Sequence, residues 1–154
     1  MAGKSRPWGQ ASFGSFVLML CATGLALLPL GALSVCADTT RADADALLAK
    51  GRALIRQQDF AGARAPLEQA LTAYQTLGLS REQADTLLPL GAVCTSLSQS
   101  DRARGCFTQA LGIYRKLGMQ EKEREAVFRL GDLELSLSRY EQARGWYEQG
   151  LAVS

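Results

Sequence analysis

Residues 77–114 return, forty positions on, as residues 117–154. A fixed period of this length constrains the fold more than any other feature of the chain. Each copy is too small to bury its own apolar face and must stack on its neighbours. The shared positions are Leu77/Leu117, Gly78/Gly118, Leu90/Leu130, Gly91/Gly131, Ser96/Ser136, Leu97/Leu137, Ser98/Ser138, Ala103/Ala143, Arg104/Arg144, Gly105/Gly145, Gln109/Gln149 and Leu111/Leu151. One period earlier the same frame recovers Gly51, Ala63, Arg64, Gln69, Ala70, Leu71, Tyr74, Leu77 and Gly78. Three copies, roughly 41–78, 79–118 and 119–154, therefore fill one domain spanning 38–154.

Each copy reads as two helices. In the second, Ser80-Arg-Glu-Gln83 has the form of a capping box, and Ala84, Leu87, Leu88, Gly91 and Cys94 follow at helical spacing. After a polar break at Ser98-Gln-Ser100, the residues Ala103, Phe107, Ala110, Leu111 and Tyr114 mark a second amphipathic helix, with Gly118 as its left-handed cap. Short loops make each pair antiparallel. Pro66 and Pro89 fall inside predicted helices, where a proline removes a hydrogen bond and is expected to bend the axis. Glu134 stands where the other copies have Leu54 and Cys94, and Gly150 where they have Ala70 and Ala110, which makes the third copy the least regular.

These residues resemble the tetratricopeptide repeat. That pattern sets Leu-Gly in a first helix against Ala, a large residue and Ala in a second. Here it is carried by Gly51, Leu54, Phe60, Ala63, Leu67 and Ala70. The second copy shows Leu90, Gly91, Ala103, Phe107 and Ala110, and the third Leu130, Gly131, Tyr140, Ala143 and Tyr147. The period exceeds the roughly 34 residues usual for the family, so the chain looks like a long-helix variety. The resemblance implies an all-α fold of tandem antiparallel helix pairs, stacked as a short right-handed α-solenoid. It also implies that the first helices line a concave groove that holds a partner peptide or helix.

On that implication the groove presents Leu48, Arg52, Ile55 and Arg56 from the first copy and Leu88 and Ala92 from the second. Phe128, Arg129, Asp132 and Leu135 come from the third, with Asp45, Asp85, Thr95 and Glu125 beside them. Helical periodicity alone does not separate a lined groove from a wide buried face. The Lys and Asn set with which relatives grip a terminal carboxylate is missing from this face. At the other end, Trp146, Tyr147 and Leu151 of the last helix form an apolar edge with no capping helix after it, open to a partner or to a second copy.

The amino terminus reads as an export signal. Lys4 and Arg6 precede an uncharged stretch from Pro7 to Ala37 with an apolar centre from Phe16, and small residues lead up to Asp38. Cleavage after Ala37 fits best, with Val35 and Ala37 at the two positions a signal peptidase reads. Two other fates fit the same segment: retention as an anchor through residues 16–33, and lipidation at Cys36 after Leu33-Ser34-Val35. In each the repeat domain leaves the cytoplasm for a periplasmic or extracellular space.

Several functions are excluded by composition. The chain has no histidine, which removes imidazole as base and as metal ligand. After Ala37 the 17 basic residues, less Lys4 and Arg6, equal the 15 acidic ones, so no basic footprint for nucleic acid remains. Cys94 and Cys106 belong to the two helices of one copy and read as two small buried residues, with a disulfide between them as the alternative. No phosphate loop, serine elbow or metal-ligand cluster occurs. The expectation is a non-catalytic, cofactor-free binding module or scaffold. Its rivals are a regulatory fragment of a larger exported protein with a caspase-like peptidase, and a spacer that associates with itself.

Overall fold

The structure, a computed structural model, describes the backbone of residues 30–153 and the side chains of residues 41–153. The expected apolar centre of the export signal and the Cys36 side chain lie outside the described set. The chain divides into two units, Met1–Cys36 and Ala37–Ser154. Among the described residues every regular element is helical: α1 (Leu30–Arg56), α2 (Phe60–Thr76), α3 (Ser80–Ser96), α4 (Ser100–Lys116), α5 (Gln120–Ser136) and α6 (Tyr140–Ala152). None of them is long and apolar enough to cross a membrane.

From α2 onward the helices begin every twenty residues, so the forty-residue period is two helix-plus-turn units. All five turns share one geometry. Gln58, Gly78, Ser98, Gly118 and Ser138 adopt left-handed φ values of 63°, 69°, 59°, 65° and 58°. The amide after each donates to a carbonyl five residues back, as in Asp59 to Leu54 at 3.0 Å and Gln99 to Cys94 at 2.8 Å. This is the Schellman closure. Glycine takes the position after α2 and after α4. Gln58, Ser98 and Ser138 take it after each first helix, although a side chain there costs roughly 1 kcal/mol.

This turn geometry overrides the expected capping box. Leu79 is the cap residue of α3, its carbonyl accepting from Gln83 N at 2.9 Å, and Ser80 is already helical with no side-chain cap bond. Among the described residues, α2 alone has a side-chain cap, Asp59 Oδ1 accepting from Gly62 N at 2.8 Å. Neither proline interrupts its helix, since α2 and α3 run on through Pro66 and Pro89. Pro89 cannot donate to the carbonyl of Asp85, and Arg52 Nη2 of α1 donates to that oxygen instead at 3.3 Å.

Within each pair a glycine lets a large side chain rest on the opposite backbone. A Cβ added at Gly51 would lie 2.6 Å from Leu67, at Gly91 2.4 Å from Phe107, and at Gly131 2.6 Å from Tyr147. Ala63, Ala70, Ala103, Ala110 and Ala143 are buried on the second helices, and Leu90 and Leu130 are buried as well. Between pairs, α2 packs on α3 and α4 on α5. Leu71 is half-buried against the cluster holding Leu90 and Val93, and Leu111 is buried with Val127 and Leu130. Burying a side chain of this size contributes about 2 kcal/mol.

The third pair is regular where the sequence looks irregular. Gly150 makes room for the ring of Phe128, which would lie 3.1 Å from an added Cβ, so the larger residue replacing Leu48 and Leu88 faces the smaller one replacing Ala70 and Ala110. Glu134 is 3% exposed and takes two bonds from Arg104 of α4, at 2.8 and 3.2 Å, with Arg139 Nη1 at 3.3 Å. A buried carboxylate is tolerable only when paired and hydrogen-bonded. Every buried side-chain nitrogen and oxygen among the described residues has a partner.

Candidate functional site

The first helices of the three pairs border one open depression of about 360 Å³. From α1 it takes Arg52, Ile55 and Arg56. Asp85, Leu88, Pro89 and Ala92 come from α3, and Lys122, Glu125 and Arg129 from α5. The apolar floor arises because α3 turns Leu88 and Ala92, one turn apart, toward the gap between its neighbours. A smaller recess of about 140 Å³ continues it along α3 and α5, sharing Ala92 and Arg129 and adding Thr95, Asp132 and Leu133.

The two acids that border the larger depression, Asp85 and Glu125, are already engaged. Tyr114 donates to Asp85 Oδ1 at 2.8 Å, one pair on from the equivalent bond of Tyr74 to Asp45 Oδ1 at 2.5 Å. Burial first, and then the carboxylate, pushes both phenols far above their ordinary range. Lys122 Nζ donates to Glu125 Oε2 at 2.9 Å. Tyr147 likewise donates to Asp132 Oδ1 at 2.8 Å, and that bond raises the Tyr147 phenol.

The arginines are distributed differently. Arg41, Arg64, Arg81, Arg102, Arg104, Arg115, Arg124, Arg139 and Arg144 each lie within 4.0 Å of a carboxylate. Among the described residues Arg52, Arg56 and Arg129 have no such partner, and all three are exposed on the depression.

Several sequence-based groove residues sit elsewhere. Leu88 borders the depression but is only 7% exposed and belongs to the main core cluster, and Leu48 packs against the clusters of the first pair. Phe128 turns toward α6, its ring 6.1 Å from that of Tyr147. One register position therefore packs toward the second helix of its own pair, where Ala70, Ala110 or Gly150 stands, and of its three residues Leu88 also borders the depression. Leu135 is exposed away from both depressions' linings. Lys122 and Pro89 line the site although neither was expected to. Lys122 stands seven residues, two helical turns, before Arg129, which was the signal available for it.

The expected terminal edge is also redistributed. Tyr147 turns inward onto Gly131, and Trp146 is half-buried against the core cluster. Leu151, 76% exposed, and Tyr140 remain open. Cys94 and Cys106 are free thiols, the first buried and the second half-buried. Burial raises both, Cys106 to about 11, which leaves them poor nucleophiles at neutral pH.

The tetratricopeptide repeat model matches residues 42–116 and again 82–154. The chain belongs to the tetratricopeptide repeat family. A solved tetratricopeptide structure shares its fold. The crystal structure of the TPR domain of Arabidopsis FLU aligns with a TM-score of 0.66 at 21% identity, over 73% of this chain and 95% of that one. Nothing among the curated proteins matches the sequence. The stacked helix pairs are thus a tetratricopeptide solenoid, the fold of a protein–protein interaction module.

Proposed function

We propose that this tetratricopeptide protein is a non-catalytic binding module that holds a segment of another protein in the depression between α1, α3 and α5. The reading is carried by one observation: among the described residues three arginines without carboxylate partners converge on an apolar floor, while the other described arginines are internally paired. The uncharged segment from Pro7 to Ala37 supports work outside the cytoplasm. Amino-terminal sequencing of the exported protein should then start at Asp38, and a start at Met1 or a blocked Cys36 would replace cleavage by anchoring or lipidation.

The test is capture of a partner by the full chain beside its Arg56→Glu/Arg129→Glu variant. Both side chains are exposed, so the variant should keep its helical content and melting temperature. A partner held by the wild type and lost by the folded variant supports the reading, whereas equal capture by both would refute it.

Leu151 favours a second reading, end-on association. Its counterparts Leu71 and Leu111 are each packed against the following helix pair, while Leu151 is 76% exposed. Sedimentation should show a mass that rises with concentration and falls to the monomer in Leu151→Glu. A monomer at every concentration removes that reading.

A further inference from the structure

We infer that the segment held in this depression is acidic, with at least two carboxylate side chains flanking an apolar residue. The inference rests on the binding function proposed above and names the chemistry of what is bound. Arg52 and Arg56 are one turn apart on α1, and Arg129 reaches the same depression from α5. Ile55, Leu88, Pro89 and Ala92 lie among them and form its apolar part. Arg52 is steered by its bond to the Asp85 carbonyl that Pro89 leaves free, and the remaining donors of its guanidinium stay available. The acids on the same rim, Asp85 and Glu125, are occupied by Tyr114 and Lys122.

The surface therefore presents a net-positive rim, Arg52, Arg56, Arg129 and Lys122 against Asp85 and Glu125, around an apolar floor. A guanidinium binds a carboxylate through two parallel hydrogen bonds, and an apolar side chain between two such contacts would cover Ile55 and Ala92. A basic or neutral segment would leave the three arginines facing it unpaired. A long polyanion is the poorer occupant, because the two acids stand on the rim and the net charge after Ala37 is zero.

The experiment is selection of a random twelve-residue peptide library on the immobilised full chain, with binding of the winners measured by fluorescence anisotropy. Expected winners are rich in Asp and Glu around a Leu, Ile or Phe. They should bind at least tenfold more weakly to Arg56→Glu/Arg129→Glu, and more weakly in high salt. Winners without acidic enrichment that are still blocked by the groove-filling Ala92→Trp would overturn the acidic inference and leave the binding function standing. Winners indifferent to both variants, or no winners, would overturn the function itself. Displacement of acidic winners by a short RNA more effectively than by free peptide would show that the arginines read phosphate, which also overturns the inference.

Discussion

The second and third helix pairs share one backbone register and meet different neighbours, which makes their differences instructive. Leu111 of the second pair is 3% exposed because α5 lies on it; Leu151, at the same position of the third, is 76% exposed. Cys94 sits among apolar groups. Glu134, its counterpart, is held by two arginines. Phe107 lies on Gly91 wholly inside the core, whereas Tyr147 lies on Gly131 with its hydroxyl on Asp132. The repeat fixes where a side chain points, and the neighbour present at that point decides which residue type is stable there.

The largest break in this comparison is expected at the shared leucine. Leu111→Ala should cost about 3 kcal/mol in urea denaturation, and Leu151→Ala close to nothing. Comparable losses would show that α6 is covered in solution.

Next comes the buried carboxylate. Arg104→Ala should destabilise by roughly 2 kcal/mol, less than for a lone buried pair because Arg139 still holds Glu134. In a Glu134→Leu background the same substitution should be nearly silent, and a full loss there would mean that Arg104 acts through packing.

A smaller contrast lies at the glycines. Gly91→Ala drives a methyl into the buried Phe107 ring and should cost about 1–2 kcal/mol net of helix propensity. Gly131→Ala should approach neutrality, because the half-buried Tyr147 ring can yield. Equal costs would deny the difference in burial.

The smallest effect is on pH dependence. Tyr74, Tyr114, Cys94 and Cys106 hold their protons more tightly when folded. Their contribution is complete below the unfolded thiol pKa of about 8.5, and it declines as pH rises past that value and past the unfolded phenol pKa of about 10. The urea midpoint should fall over that window, and fall less in Cys106→Ser.

Much of the fold is legible in the sequence because packing by small residues leaves a periodic trace. Gly51, Gly91, Gly131 and the alanines facing them mark the helix pairs by their spacing alone. The turns are less legible, since Gln58, Ser98 and Ser138 adopt a left-handed conformation that glycine usually signals. The site is the least legible. A leucine on a first helix reads the same whether it faces a groove or its own second helix, and only the positions of Ala70, Ala110 and Gly150 assign Leu48, Leu88 and Phe128 to packing. Local pairs such as Arg64 with Glu68 and Arg144 with Glu141 follow from helical spacing, but Arg102 with Glu68 and Arg104 with Glu134 pair across some thirty residues, so the sequence does not separate Arg52, Arg56 and Arg129 from the rest.

The most direct measurement of the central claim is hydrogen exchange of the full chain with and without its captured partner. Protection should appear on α1, α3 and α5 around Ile55, Ala92 and Arg129, with α2 and α4 unchanged. Protection confined to α2 and α4, or to α6 around Leu151, would contradict the claim that the first helices form the working face.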